Sequence, residues 1–157
     1  MIVLFSDLDL RGSGYMNITI ALANQLVKRG RKVTVLGMGY SGAAHDWPFQ
    51  IIPIQPNKGM QFAPAMLQNL ISLGQIEANE PPEVFIPLLD IPLQKNILSW
   101  PVIGNRVIPM AGVFPIESGP LVPSWANDLA RMDARMVISR FGTKQCLDAG
   151  LDAVHLP

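Results

Sequence analysis

The first 36 residues carry the pattern of a strand, a glycine-containing loop, a helix and a second strand. Ile2–Phe5 is a continuously apolar run, which is typical of a strand buried on both faces of a parallel sheet. From Tyr15 onward apolar residues recur at helical spacing, until Gly30 provides a residue that can end the helix in a left-handed conformation. A second apolar strand follows at Lys32–Leu36. Because two parallel strands need a crossover connection, this order predicts a βαβ unit and limits the chain to the α/β class.

Apolar strands and amphipathic helices continue to alternate along the rest of the chain. We predict later strands at Gln50–Ile54, Val84–Leu89, Val102–Pro109, Met136–Ile138 and Ala153–Leu156. We predict helices at Phe62–Ile76, Ile91–Leu98, Asn127–Met132 and Phe141–Ala149, and an irregular segment at Ala111–Trp125. This alternation predicts a Rossmann-like, doubly wound parallel sheet in a single domain that spans residues 1–157. The expected core includes Val3, Leu22, Val35, Ile52, Val84, Ile86, Val137 and Val154.

Charge and hydropathy narrow the classes of partner. Of the 157 residues, 49% are apolar and 15% are charged, which is enough apolar material for a substantial core. Twelve basic residues balance twelve acidic ones, so the chain lacks the positive charge of a nucleic-acid binder. The apolar stretch at the N-terminus is too short for a signal peptide, and no apolar run approaches the roughly 20 residues of a membrane span. We therefore expect no nucleic-acid partner, no transmembrane segment and a cytoplasmic location.

Three places in the chain are candidates for a binding site. In a doubly wound sheet, ligands bind outside the carboxyl ends of the strands, where the strand order reverses. The loop Gly12-Ser13-Gly14, Asp90 and Glu117 each follow a predicted strand. The loop could present backbone N–H groups to an anion, or it could be a tight turn that needs small residues. Asp90 could face the crevice or cap the next helix, and Glu117 could line the crevice or belong to an ordinary polar turn.

Other motifs exclude several kinds of chemistry. Gly37-Met38-Gly39-Tyr40-Ser41-Gly42 matches GxGxxG, but Pro48 closes the following segment before a crossover helix could form, so we interpret the match as accidental. The first loop has Asn17 where a dinucleotide-binding loop has its third glycine, and no acid follows the second strand to bind a ribose. We therefore expect no nicotinamide or other cofactor. Cys146 is the only cysteine, and no Cys/His spacing indicates a metal site.

Two stretches of the chain together carry a resemblance to a known enzyme family. The first leads from Gly12-Ser13-Gly14-Tyr15 through Ala21-Leu22-Ala23 to the run Leu26–Leu36, and the second leads from Pro115–Trp125 through Ile138–Gly142 to Gly150–Pro157. In both, the chain resembles the N-terminal domain of family-4 glycosyltransferases, enzymes of the GT-B architecture in which two Rossmann-like domains face each other across a cleft. It departs from many members in Leu89-Asp90-Ile91-Pro92, which contains no histidine.

The resemblance implies a retaining transfer of sugar from a nucleotide-sugar donor to an acceptor hydroxyl. It implies that Gly12, Ser13 and Gly14 lie near the donor phosphates, and that Asp90 and Glu117 line the acceptor side of the cleft. It assigns no catalytic residue. The family's nucleotide-sugar-binding C-terminal domain is absent from these residues, so we expect the chain to be inactive on its own. The alternative is a stand-alone, non-catalytic Rossmann-like binding module, and an adjoining reading frame that encodes a second Rossmann domain would favour the glycosyltransferase.

Overall fold

A seven-stranded parallel sheet forms the centre of the protein. The structure is a computed structural model and describes residues 1–9, 14–54, 71–72, 74, 82–98, 102–103 and 106–157. Its strands are β1 (Ile2–Asp7), β2 (Val33–Met38), β3 (Gln50–Ile54), β4 (Val84–Leu88), β5 (Val102–Ile103), β6 (Arg106–Val107), β7 (Ala111–Phe114), β8 (Ala134–Val137) and β9 (Val154–His155). The order in the sheet is β3-β2-β1-β4-β7-β8-β9, and all of its neighbouring strands are parallel. The predicted Rossmann-like α/β class is confirmed.

Four α-helices whose two ends both lie within the described residues connect these strands. They are α1 (Gly14–Lys28), α2 (Ile91–Gln94), α3 (Pro123–Leu129) and α4 (Arg140–Asp148), and a 3₁₀ turn at Lys95–Ile97 extends α2. Local sequence explains several of their ends. Gly30 follows α1 with φ +76°, and the Ser139 hydroxyl caps α4 by accepting a hydrogen bond from the Gly142 N–H at 3.0 Å. Of the predicted helix Phe62–Ile76, only Ile71, Ser72 and Gly74 are described, and the first two are helical.

Helices cover both faces of the sheet, as a doubly wound fold requires. Alternate residues of β1 enter separate cores: Ile2 and Leu4 pack with Ala23 of α1, while Val3 and Phe5 belong to the core that receives α2, α3 and α4. These four β1 side chains are at most 6% exposed. Each such buried aliphatic or aromatic side chain contributes about 1.5–3 kcal/mol. The apolar run Ile2–Phe5 is therefore stabilised at every position, because helices cover both faces of the sheet.

The fifth strand of the main sheet lies where the sequence predicted irregular structure. The sequence predicts a strand at Val102–Pro109 or nearby, but within that range Val102–Ile103 and Arg106–Val107 form β5 and β6, a separate antiparallel pair. The sheet strand is instead β7, four residues bounded by prolines at 109 and 115. Ala111 and Gly112 have low strand propensity, and their burial depends on what packs against them. A pattern based on propensity therefore missed the strand.

Two further expectations need correction. Helix α3 begins at Pro123, not at Asn127, because proline is favoured in the first turn of a helix, where its missing N–H is not needed. Val154 was expected in the core but is 67% exposed, since β9 forms the edge of the sheet. Val3, Val35, Ile52, Ile86 and Val137 are buried as predicted, and Leu22 and Val84 pack against the core while partly exposed. No helix within the described residues has both the length and the apolar character needed to cross a membrane.

Candidate functional site

The strand order reverses between β1 and β4, and this position defines a crevice at the carboxyl edge of the sheet. From β1 the chain moves outward through β2 to β3, and from β4 it moves in the opposite direction through β7 to β9. Asp7 ends β1 and Asp90 follows β4, so two carboxylates flank the reversal point. Behind them, the buried Ser6 hydroxyl donates a hydrogen bond to the Leu88 carbonyl at 3.2 Å and ties the two strand ends together.

Asp90 directs its carboxylate toward α1 and not toward the helix that it precedes. It occupies the N-cap position of α2, yet its side chain makes no capping hydrogen bond. Its backbone carbonyl accepts from the N–H groups of Leu93 and Gln94, at 2.9 and 3.1 Å. The carboxylate instead accepts a hydrogen bond from the Tyr15 hydroxyl. Of the two interpretations of Asp90 that the sequence left open, the structure favours a place in the crevice.

Tyr15 is a member of the site that sequence reasoning did not identify. It belongs to the first turn of α1, directly after Gly14, and is partly buried against the core. Burial, the hydrogen bond to Asp90, and the negative charges of Asp90, Glu117 and Asp7 raise the pKa of Tyr15 far above its usual value. The phenol is therefore a neutral donor at physiological pH. Its position directly after the glycine loop was the one signal in the sequence that could have pointed to it.

A cavity of about 300 Å³ brings Asp90 and Glu117 together. We call it the crevice cavity; it is lined by Asp90, Ile91, Pro92, Pro115, Ile116, Glu117, Ser118 and Trp125. Each acid is exposed and adjoins a buried isoleucine in sequence, Ile91 at 2% and Ile116 at 5% exposed. These buried neighbours hold in place the backbone that carries the two acidic side chains. Trp125 of α3 supplies an aromatic wall that is half-buried.

Of the glycine loop Gly12-Ser13-Gly14, the structure describes only the last residue. Gly12 and Ser13 lie outside the described residues. Gly14 is the first residue of α1, and a Cβ added to it would meet no atom within 4 Å. The predicted contact of this loop with donor phosphates therefore stays a prediction. The other glycine motif behaves as expected: Gly37 lies within β2, Gly39 has φ +73°, and no helix forms between β2 and β3.

The polar side chains that line the crevice cavity are mainly hydrogen-bond acceptors. Among the described residues that line it there is no Lys, Arg or His, while Asp90, Glu117 and Ser118 offer oxygen atoms. Ionised carboxylates accept hydrogen bonds but cannot donate them, so hydroxyl or amine groups fit this lining and phosphate groups do not. Trp125 and the isoleucines add apolar surface, a combination common in small-molecule sites.

In the described part of the chain, no group of three or more His, Cys, Asp or Glu side chains is arranged to hold a metal ion.

No protein-family model matches this sequence, and no curated protein matches it significantly.

Proposed function

We propose that this chain is the N-terminal, acceptor-side domain of a GT-B glycosyltransferase of the family-4 type, and that the crevice cavity holds the acceptor. In the reaction, the bond between the anomeric carbon and the donor diphosphate breaks. The diphosphate leaves with the bonding electron pair, a bond to the acceptor oxygen forms with retention of configuration, and the hydroxyl proton passes to the departing diphosphate. The observation that carries the proposal is the presence of Asp90 and Glu117 in one cavity. These are the two residues that the family resemblance assigns to the acceptor side.

The lining of the crevice cavity supports a hydroxylated acceptor. Hydroxyl groups can donate to Asp90, Glu117 and Ser118, while the apolar C–H face of a sugar or polyol can pack against Trp125. Asp90 already accepts one hydrogen bond, from Tyr15. An ionised carboxylate offers about four acceptor positions, so this bond leaves capacity for a ligand hydroxyl. The neutral Tyr15 phenol would hold the carboxylate in place while it orients the acceptor.

The donor has to be stabilised by groups other than those of the crevice cavity. The leaving diphosphate develops negative charge, and its stabilisation requires cationic groups or oriented N–H dipoles. The described lining supplies neither a Lys nor an Arg. We therefore propose that a nucleotide-sugar-binding domain provides most of the donor site, with the loop Gly12–Gly14 as its nearest contribution from this chain. On that basis the chain by itself transfers no sugar.

The acceptor role can be tested by NMR titration of the ¹⁵N-labelled chain with neutral sugars, such as glucose and N-acetylglucosamine. We expect chemical-shift changes around Asp90, Glu117 and Trp125, with dissociation constants on the order of 1–10 mM for a single ring in an open cavity. Asp90→Asn and Glu117→Gln should weaken binding. Glu83→Gln is the matched control, because Glu83 precedes β4 at the opposite edge of the sheet. If no sugar perturbs the cavity, or if the control weakens binding equally, the acceptor assignment is wrong.

The donor half of the proposal has a separate test. Calorimetry of residues 1–157 with a panel of nucleotide sugars should detect weak binding at most, because the proposal assigns most of the donor site to a domain outside these residues. A micromolar 1:1 complex would contradict that expectation and favour the alternative, a stand-alone Rossmann-like binding module.

A further inference from the structure

A fully buried glutamine stands behind the crevice cavity. Gln94, the last residue of α2, is 0% exposed, and its side-chain amide donates to the carbonyls of Leu89 and Val113 at 2.8 and 2.7 Å. The reversed amide would place an oxygen against two carbonyl oxygens, so these partners fix its orientation. Leu89 directly precedes Asp90, and Val113 lies in β7, the strand that leads to Glu117. One NH₂ group therefore joins the two strand ends from which the acids of the cavity emerge.

The backbone explains why a side-chain donor is needed at this point. In β4 and β7, Leu88 is paired with Val113, and the Leu89 N–H donates to the Val113 carbonyl at 3.2 Å. If the parallel ladder continued, the Leu89 carbonyl would accept from the N–H of residue 115. Residue 115 is a proline, which has no N–H. The Gln94 amide supplies the donor that Pro115 lacks, at the point where the two strands stop pairing.

The surroundings of Gln94 are also fitted to the amide. A Cβ on Gly112 would lie 2.6 Å from the Gln94 Oε1 atom, so the absence of a side chain at position 112 makes room for it. Among the described residues, Oε1 has no hydrogen-bond partner, which is unfavourable for a buried polar atom. An apolar side chain of the same length would fill this space without that cost. The fold therefore keeps the glutamine for its two N–H bonds and not for its volume.

We propose that Gln94 is a positioning residue that sets the spacing between the ends of β4 and β7, and thereby the separation of Asp90 and Glu117 across the crevice cavity. This inference rests on the proposed function only in that the two acids serve one acceptor. The two hydrogen bonds of the Gln94 amide are themselves a property of the fold. Without the amide donor, the buried Leu89 carbonyl would lose this partner, and a shift of its backbone would carry Asp90, the next residue, out of its present geometry with Tyr15.

The Tyr15–Asp90 hydrogen bond gives a readout that does not depend on any ligand. The chain has two tyrosines, so ¹⁹F NMR of the protein labelled with 3-fluorotyrosine yields two signals, which Tyr15→Phe assigns. Gln94→Met keeps the side-chain length but removes both donors, and should displace the Tyr15 signal from its wild-type position. Pro115→Ala restores an N–H at position 115. In the Gln94→Met background, this second change should return the signal at least halfway. Ile52→Ala, a buried change in β3, which ends the sheet two strands away from β1, should destabilise the protein without moving the signal.

The outcomes separate the positioning role from a role in packing alone. An unmoved Tyr15 signal in Gln94→Met, or a double variant no closer to the wild type than the single one, would overturn the proposal. If Gln94→Met does not fold, folding of the double variant supports the proposal and its failure to fold contradicts it. If the signal responds as expected while no sugar binds any variant, the proposed function fails and the positioning role stands. If sugars bind but the signal does not respond, the positioning role fails and the proposed function stands.

Discussion

The hydrogen bond from Tyr15 to Asp90 joins residues 75 positions apart and offers the sharpest test of the crevice. Tyr15→Phe removes the donor, Asp90→Asn removes the charge of the acceptor, and the double variant closes a thermodynamic cycle. Hydrogen bonds to charged groups contribute about 1.5–3 kcal/mol when they are well buried. Asp90 is exposed and Tyr15 only partly buried, so solvent screening reduces the expected coupling to about 1 kcal/mol.

The cycle also separates the two interpretations of Asp90. If the carboxylate capped α2, Asp90→Asn would cost little whether or not Tyr15 is present, because asparagine caps helices about as well as aspartate, and the coupling would be near zero. If the carboxylate binds Tyr15, the cost of Asp90→Asn should largely disappear in the Tyr15→Phe background. The structure predicts the second result, because no capping bond forms.

Urea unfolding, followed by circular dichroism, measures the free energy of unfolding of all four proteins. A loss of about 1 kcal/mol corresponds to a fall in Tm of roughly 2–4 °C for a chain of this size. Glu117→Gln with and without Tyr15 is the control cycle, because Glu117 acts on Tyr15 through its charge and not through a hydrogen bond. A Tyr15–Asp90 coupling below about 0.3 kcal/mol, the level at which independent sites add, would refute the hydrogen bond.

Other sites give independent expectations. Gly14→Val should change the free energy of unfolding by less than about 1 kcal/mol in urea titrations, because a Cβ there meets open space, yet it should sharply reduce transfer assayed in a complete two-domain enzyme. Ser139→Ala should cost about 1 kcal/mol in the same titrations through loss of the α4 cap, and an unchanged midpoint would contradict the cap. Gly142→Ala should cost about 1–3 kcal/mol or prevent folding, since its Cβ would lie 2.6 Å from a Val137 methyl; wild-type stability would show that the packing is looser. The pKa of Tyr15 is raised in the fold, so its protonated form stabilises the protein below the ordinary value of 10.0 and that contribution is lost as the pH rises toward the folded-state pKa. Above pH 10.0 wild-type stability should therefore fall more steeply than that of Tyr15→Phe, and parallel urea midpoints would contradict this.

The amino-acid sequence by itself determined the class of the fold and most of its elements. The run Ile2–Phe5 is apolar at every position, which is typical of a strand covered on both faces of a parallel sheet. The rule that ligands bind at the carboxyl ends of parallel strands then selected Asp90 and Glu117, which the structure brings to one cavity. These inferences needed only local periodicity and chain order. The binding roles of both acids, like the contact of Gly12–Gly14 with phosphate, remain predictions.

Tertiary structure alone decided the features that depend on distant partners. β7 is a strand because it pairs with β4 and β8, and its Gly112 leaves room for the side chains of Gln94 and Met132, which lie far from it in the sequence. Tyr15 belongs to the site because α1 begins at the carboxyl edge of the sheet, after β1, and β4 is the neighbour of β1 in the strand order. The need for the Gln94 amide follows from the register that places Pro115 opposite the Leu89 carbonyl. Periodicity predicts what each segment is, but register and packing determine which groups meet, because those depend on the free energy of the whole assembly and not on any one segment.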